Sequence, residues 1–187
     1  ALDVKVYLFA DRESFSRKFQ ADNGRPPKDR TAGLYVPERR ILYVGLITDP
    51  QGHSMELVEL TAVHELLHAL DDRLARCHFS PGENLWMVEG RANHFGYAIL
   101  GRQVLPGLLR RPPNDTLQKH LQDALPKLSV KTLMAADPSR FATQQYALAF
   151  AWVHFLFHGE GGKHAAGFKT YLSGCPEKGS LADFEAA

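Results

Sequence analysis

The 187-residue chain has little cysteine, almost no excess of charge and no long hydrophobic run. Its two cysteines, Cys77 and Cys175, lie far apart without a C-x-x-C spacing, which favours two free or buried thiols over one long-range disulfide. Because 22 basic residues nearly balance 21 acidic ones, neither a nucleic acid nor an anionic membrane is expected as a partner. The longest apolar stretch, around Tyr146 to Phe157, is too short to cross a bilayer and predicts a buried helix.

The composition that is present, 44% hydrophobic and 23% charged, is typical of a globular domain with a sizeable core. We therefore interpret residues 1–187 as a single domain. The chain opens on a strand-like segment without the features of a signal peptide, so we expect any targeting segment to be absent or removed. The sequence leaves the cellular compartment open.

Strand patterns come first along the chain. Residues 4–9 alternate as a β-strand does, and a helical pattern follows over 11–20, with Asp11 as its N-cap. Two β-rich runs, 33–36 and 40–47, flank a turn-like Pro-Glu-Arg and predict a hairpin.

Helical patterns dominate the rest of the chain. One helix is predicted from an N-cap at Ser54 to about Leu70, and a second from Asn84 to near Gly101. After a proline-rich connector, further helical segments are predicted at 115–125, 144–158 and 163–172, with a helix stop at 159–163. This order predicts an α+β fold with a sheet-rich part (1–50), two active-site helices (54–101) and a helical C-terminal part (105–187).

The segment from His64 to His68 reads H-E-x-x-H and lies in the middle of a predicted helix. Residues at i and i+4 lie one above the other on a helix face, so both imidazoles can bind one metal ion. Glu65 is rotated by about 100° from His64, which keeps it off the metal but within reach of a metal-bound water. Chance placement would produce this motif in only about 2% of shuffled chains. We expect Glu65 to act as a general base.

A catalytic zinc ion takes three protein ligands and keeps one position open, so a third ligand is needed. The candidates are the acidic residues and histidines that follow the motif: Asp71, Asp72, His78, Glu83, Glu89 and His94. The two aspartates follow His68 too closely for easy simultaneous coordination. Glu89 is favoured, because the spacer before it is long enough for the chain to return as a second, roughly antiparallel helix.

The motif HELLH followed by WMVEGRA resembles the gluzincin zinc metallopeptidases, whose pattern is H-E-x-x-H, a spacer and W-x-x-E-G-x-A. The wider layout, which ends with the late helix YALAFAWVHFLF, is similar to peptidase MA-like bacterial domains. The resemblance implies a zincin-like fold and zinc (Zn²⁺) bound by His64, His68 and Glu89. It also implies Glu65 as base and acid, and a late tyrosine, matched to Tyr146, that stabilises the oxyanion.

Two features depart from the family pattern. Asn93 stands where family enzymes often have an acidic residue, and the G-x-M-E-N exopeptidase signature is absent. Endopeptidase activity on a peptide or protein substrate is therefore favoured over aminopeptidase activity. We expect an extended substrate to pair with an edge strand of the early sheet, and we assign that edge to residues 40–46.

Alternatives remain open for the function. A zinc-containing module could bind peptides without hydrolysing them, and a helical domain could lack metal altogether; the presence of Glu65 favours the enzyme. A catalytic core of this size often belongs to a longer polypeptide.

Alternatives remain open for single residues as well. Tyr146 is interpreted equally well as a core tyrosine, because its segment is almost wholly apolar. His154 and His158 are interpreted as core and surface histidines in preference to ligands. Arg91 and His94 either contact a substrate or lie at the surface.

Overall fold

A computed structural model describes residues 3–28, 31–45, 48–49, 52–53, 55–75, 85–100, 119, 122–123, 129–134, 136, 141 and 143–174. These residues form a mostly helical α+β fold in which the strands come first, as the sequence predicted. The chain divides into two compact units, Ala1–Arg73 and Leu74–Ala187. The interpretation of 1–187 as one domain stays a prediction. Both cysteines, the connector at 105–113 and most of the segment at 115–125 lie outside the described residues.

The first unit contains a three-stranded mixed sheet. Strands β1 (Lys5–Phe9) and β3 (Ile41–Gly45) are parallel, and β2 (Gly33–Val36) is antiparallel to β3. The predicted hairpin of β2 and β3 is confirmed, and its turn is a short 3-10 helix, Pro37–Arg39. Two further short strands, β4 (Thr48–Asp49) and β5 (Gly52–His53), form an antiparallel pair.

The order β1-β3-β2 corrects the edge-strand prediction. Residues 40–46 were expected at the edge, but β3 lies in the centre, with Leu42, Tyr43 and Val44 buried. The apolar side chains of β3 cover both of its faces, which is the composition of a central strand. Among the described strands of this sheet, β2 and β1 are the edges.

Helix α1 (Arg12–Asn23) covers one face of the sheet. Asp11 is its N-cap, as predicted, and Gly24 ends it in a left-handed conformation three residues later than the pattern indicated. Phe15 and Phe19 are buried in a cluster with Tyr43 of the central strand. Aromatic packing therefore fixes α1 on β3.

Helix α2 (Met55–Leu70) packs on β2 and β3 and carries the H-E-x-x-H motif. It continues into a π-helical turn, Asp71–Ala75, where the sequence predicted a loop. Ala69 lies in a buried cluster with residues of the two strands: Tyr35, Leu42 and Val44. The motif thus lies on a helix that packs against the sheet.

The second unit is helical in its described residues. It contains α3 (Leu85–Leu100), α4 (Val130–Met134), α5 (Thr143–His158) and α6 (Ala165–Gly174). The predicted helix stop is confirmed as a 3-10 turn, Gly159–Gly162, in which three residues have positive φ. None of the helices in the described ranges combines the length and apolarity that a bilayer crossing requires.

Helices α3 and α5 approach each other closely at Gly90. A Cβ atom at this position would lie 2.5 Å from the carbonyl oxygen of Ala149 and 2.8 Å from Cγ2 of Val153. Both contacts are shorter than normal packing allows, and one of them is with backbone. The glycine of the W-x-x-E-G motif therefore permits the contact of these two helices.

We expect Gly90→Ala to lower the free energy of unfolding by about 1–2 kcal/mol. Overpacking a core typically costs about 1–3 kcal/mol, which outweighs the gain of about 1 kcal/mol from the higher helix propensity of alanine. Urea denaturation measures the change. Lys169→Ala, at an exposed position of α6, is the control and should stay within about 0.5 kcal/mol of the wild type. Equal stability of Gly90→Ala and wild type would contradict the close approach.

Candidate metal centre

The imidazoles of His64 and His68 converge on one side of α2. Their Nε2 atoms are 3.0 Å apart, and the rings are nearly perpendicular, with an angle of 86° between their planes. Two nitrogens that bind one zinc ion at roughly 2.0–2.1 Å in tetrahedral geometry are separated by about 3.3 Å. His68 is buried and His64 half-buried. The separation of the two nitrogens is thus close to the one that a shared metal ion requires.

The carboxylate of Glu65 is fixed by the backbone of the edge strand. Glu65 is buried, and its Oε2 accepts a hydrogen bond of 2.8 Å from the backbone N–H of Tyr35 in β2. The N–H of Gly45 in β3 donates a hydrogen bond to the carbonyl oxygen of Ala32. Since hydrogen-bonded pairs alternate along antiparallel strands, Tyr35 is opposite Leu42 in a pair without hydrogen bonds, and its N–H points away from β3. The strand thus donates an otherwise unpaired edge N–H to the predicted base.

Gly33 lets α2 come this close to the strand. A Cβ atom at residue 33 would lie 2.6 Å from Cγ2 of Thr61 and 2.9 Å from Cγ of Glu65. It would also lie 3.1 Å from the carbonyl oxygen of Tyr43. Any larger residue would displace the helix or the carboxylate.

Asp72, one of the alternatives for the third ligand, has a partner in the same strand. The Tyr35 hydroxyl donates a hydrogen bond of 2.9 Å to its Oδ2. Burial, and then this bond to Asp72, raise the pKa of Tyr35 to about 12, so the phenol remains a donor at neutral pH. This bond assigns Asp72 to the attachment of β2 and speaks against Asp72 as a ligand.

Glu89 lies one turn inside α3 in the second unit, where the sequence placed it. Its side chain is 8% exposed, and Trp86, Met87 and Val88 before it are buried in the core. A carboxylate so deeply buried needs hydrogen bonds or a cation to offset its desolvation. Glu89 is thus a buried carboxylate on the helix of the W-x-x-E-G motif, and its role as a ligand stays a prediction.

Other residues of the second unit differ from the expectation or leave it untested. His94 is fully buried, which excludes surface placement, one of the two interpretations that the sequence left open, while Arg91 is half-buried. Tyr146 is half-buried, with its ring edge-on to Phe141 at 4.9 Å between centroids. Since α3 and α5 pack together, Tyr146 and Glu89 lie on neighbouring helices. The catalytic role of Tyr146 stays a prediction.

His78 and Glu83, two further alternatives for the third ligand, lie outside the described residues.

Two features of these sites were not predicted from the sequence. The hydrogen bond from Tyr35 to Glu65 comes from a backbone N–H, which residue types in a sequence do not reveal. The second is a contact of His94 with His154 and His158 on α5. Here the sequence held a signal, because His154 and His158 have the same i, i+4 spacing as the motif histidines.

Comparison of the chain with known protein families, with curated proteins and with solved structures found no match. The resemblance to the gluzincins therefore rests on the two motifs and on their positions in helices.

We expect Glu65→Ala to lower the free energy of unfolding by about 1–3 kcal/mol, because it leaves the buried N–H of Tyr35 without its acceptor. Glu65→Gln keeps an oxygen at this position and should cost less than about 1 kcal/mol. Chemical denaturation of the two variants beside the wild type measures the difference. Equal stability of the alanine and glutamine variants would show that the bond contributes nothing.

Proposed function

We propose that this chain is a zinc-dependent endopeptidase of the gluzincin type with a zincin-like fold. The observation that carries the proposal is the convergence of the His64 and His68 Nε2 atoms beside the anchored carboxylate of Glu65. Two imidazoles with a neighbouring carboxylate are the set of side chains that metal-assisted hydrolysis uses.

The donor set fits zinc. Imidazole nitrogens and a carboxylate oxygen are typical ligands of catalytic zinc, and two histidines with one glutamate leave a coordination position open. We propose His64 and His68 of the first unit and Glu89 of the second unit as the three ligands. A zinc ion bound by them would supply Lewis-acid chemistry, lowering the pKa of water and polarising a carbonyl group.

Glu65 would serve as the proton carrier of the reaction. The bond from Tyr35 occupies Oε2 and orients the carboxylate, so Oε1 is the oxygen that takes a proton from the attacking water. The same oxygen then delivers that proton to the leaving amine. The Tyr146 hydroxyl would donate a hydrogen bond to the developing oxyanion, a contribution that is typically about 2.7–4 kcal/mol.

The substrate would be an extended peptide that pairs with β2. The N–H of Gly33 and the carbonyl groups of Gly33 and Tyr35 lie on the outward edge of this strand, next to α2. Backbone pairing along a strand edge binds peptides with little dependence on their side chains. This arrangement supports cleavage within a chain.

The alternative function is a zinc-containing module that binds peptides without hydrolysing them. The observation in its favour is the same bond from Tyr35 to Glu65, which would give the glutamate a role in attaching β2 even without catalysis. The enzyme would hydrolyse the bound peptide and the binding module would not, whereas both would contain zinc.

We predict that Glu65→Gln abolishes peptide cleavage while it retains zinc. Loss of a general base typically lowers the rate by a factor of about 10²–10⁴. Digestion of an unbiased peptide library, read by mass spectrometry, measures cleavage, and atomic emission measures zinc. Tyr146→Phe should lower the rate by a factor of about 10²–10³, again with zinc retained.

The control is His64→Gln, which should lose cleavage together with the zinc ion of the motif site, so that zinc per chain falls by one. Glu59→Gln is the matched surface variant, since Glu59 is an exposed residue of the same helix, and it should cleave as the wild type does. Equal cleavage by wild type and Glu65→Gln would refute the mechanism. Absence of cleavage in the wild type, with zinc bound, would favour the binding module.

A further inference from the structure

Three histidines meet inside the second unit. His94 of α3 faces His154 and His158, which lie one turn apart on α5. The ring centroids are 4.9 to 5.5 Å apart, and one ligand nitrogen from each ring lies within 4.8 Å of the other two. We refer to these three residues as the histidine cluster.

The polar atoms of the cluster lack partners. Both ring nitrogens of His94 are buried, as are Nδ1 of His154 and Nε2 of His158, and none of the four has a hydrogen-bond partner in the described part of the chain. The His94 side chain is 0% exposed. Because each unsatisfied buried polar group typically costs about 1–3 kcal/mol, such a concentration requires a physical explanation.

The surroundings of the cluster offer no substitute for these missing bonds. Phe150 and Phe157 pack against the ring of His94 with centroid distances of 5.9 and 5.6 Å. Phe95, next to His94 in α3, is 5.2 Å away. The cluster is therefore lined by aromatic rings, which supply neither a strong acceptor nor a counter-charge.

The imidazoles are in the protonation state that a metal needs. Burial, and then the neighbouring rings of His154 and His158, lower the pKa of His94 to about 3. Burial also lowers the pKa of His154 and of His158. Neutral rings carry the lone pairs that ligate metal, so protons do not compete with an ion at neutral pH.

We propose that the histidine cluster is a second metal site, which binds a divalent ion of the zinc class through one nitrogen from each ring. Imidazole suits zinc and the neighbouring transition metals, and three histidines form a known type of zinc site. Ligand nitrogens of a tetrahedral zinc site lie about 3.3 Å apart, and the three ring nitrogens already lie within 4.8 Å of one another.

An ion at this position would cross-link α3 to α5. His94 and Glu89 are both on α3, so the cross-link would stiffen the helix that carries the predicted third ligand of the first centre. The second site does not depend on the proposed hydrolysis, because its three ligands are distinct from the motif residues. With three protein ligands, the ion would keep one coordination position for water.

We test the site by titrating the metal-free full-length chain with Co²⁺, a spectroscopic probe for zinc sites, and recording visible absorption and bound cobalt per chain. His154→Gln and His158→Gln should each lower the stoichiometry by one ion, and Co²⁺ affinity at the cluster should fall by more than about 100-fold. His164→Gln is the matched control, because His164 lies outside the cluster, beside Glu160. It should bind as the wild type does.

The same titration in the His64→Gln/His68→Gln background separates the two sites. One Co²⁺ per chain should remain there and disappear when His154→Gln is added, with circular dichroism as the check of folding. If both cluster variants keep the wild-type stoichiometry, the proposal is overturned. Absence of Co²⁺ binding in the background variant, while it remains folded, would also overturn it and would indicate ordered water in place of the ion.

Discussion

The hydrogen bond from the Tyr35 backbone N–H to the Glu65 carboxylate is the interaction on which the first unit depends. It joins the edge strand to α2 at the residue that lies between the two motif histidines. The Tyr35 hydroxyl adds a second attachment at Asp72, and Gly33 removes the side chain that would keep helix and strand apart. One strand of four residues thus orients the carboxylate and presents its outer edge next to it.

Helix geometry brings the two histidines of the motif together. His64 and His68 occupy the same face of α2, and their nitrogens converge without any help from a loop. The second unit repeats the arrangement, because His154 and His158 on α5 have the same spacing and meet a histidine of α3. In both places, a pair of histidines one turn apart on one helix provides two neighbouring imidazoles on a rigid element.

The sequence predicted the local structure well where short-range rules decide it. Asp11 as an N-cap, the hairpin of β2 and β3 and the helix around the motif all follow from periodicity and capping. The sequence did not predict the parts of the structure that depend on pairing between distant segments. The edge strand was assigned to 40–46, yet β1, which precedes α1 in the sequence, pairs with β3 and makes β3 central. The burial of His94 was missed for the same reason, because it depends on the packing of α5.

The most direct test of the account is anomalous diffraction at the zinc absorption edge from crystals of the zinc-loaded protein. The account predicts a peak at roughly 2.0–2.2 Å from Nε2 of His64, Nε2 of His68 and a carboxylate oxygen of Glu89. A structure in which zinc is absent from the two motif imidazoles, or in which Glu89 is directed away from them while another group completes the coordination, would contradict it.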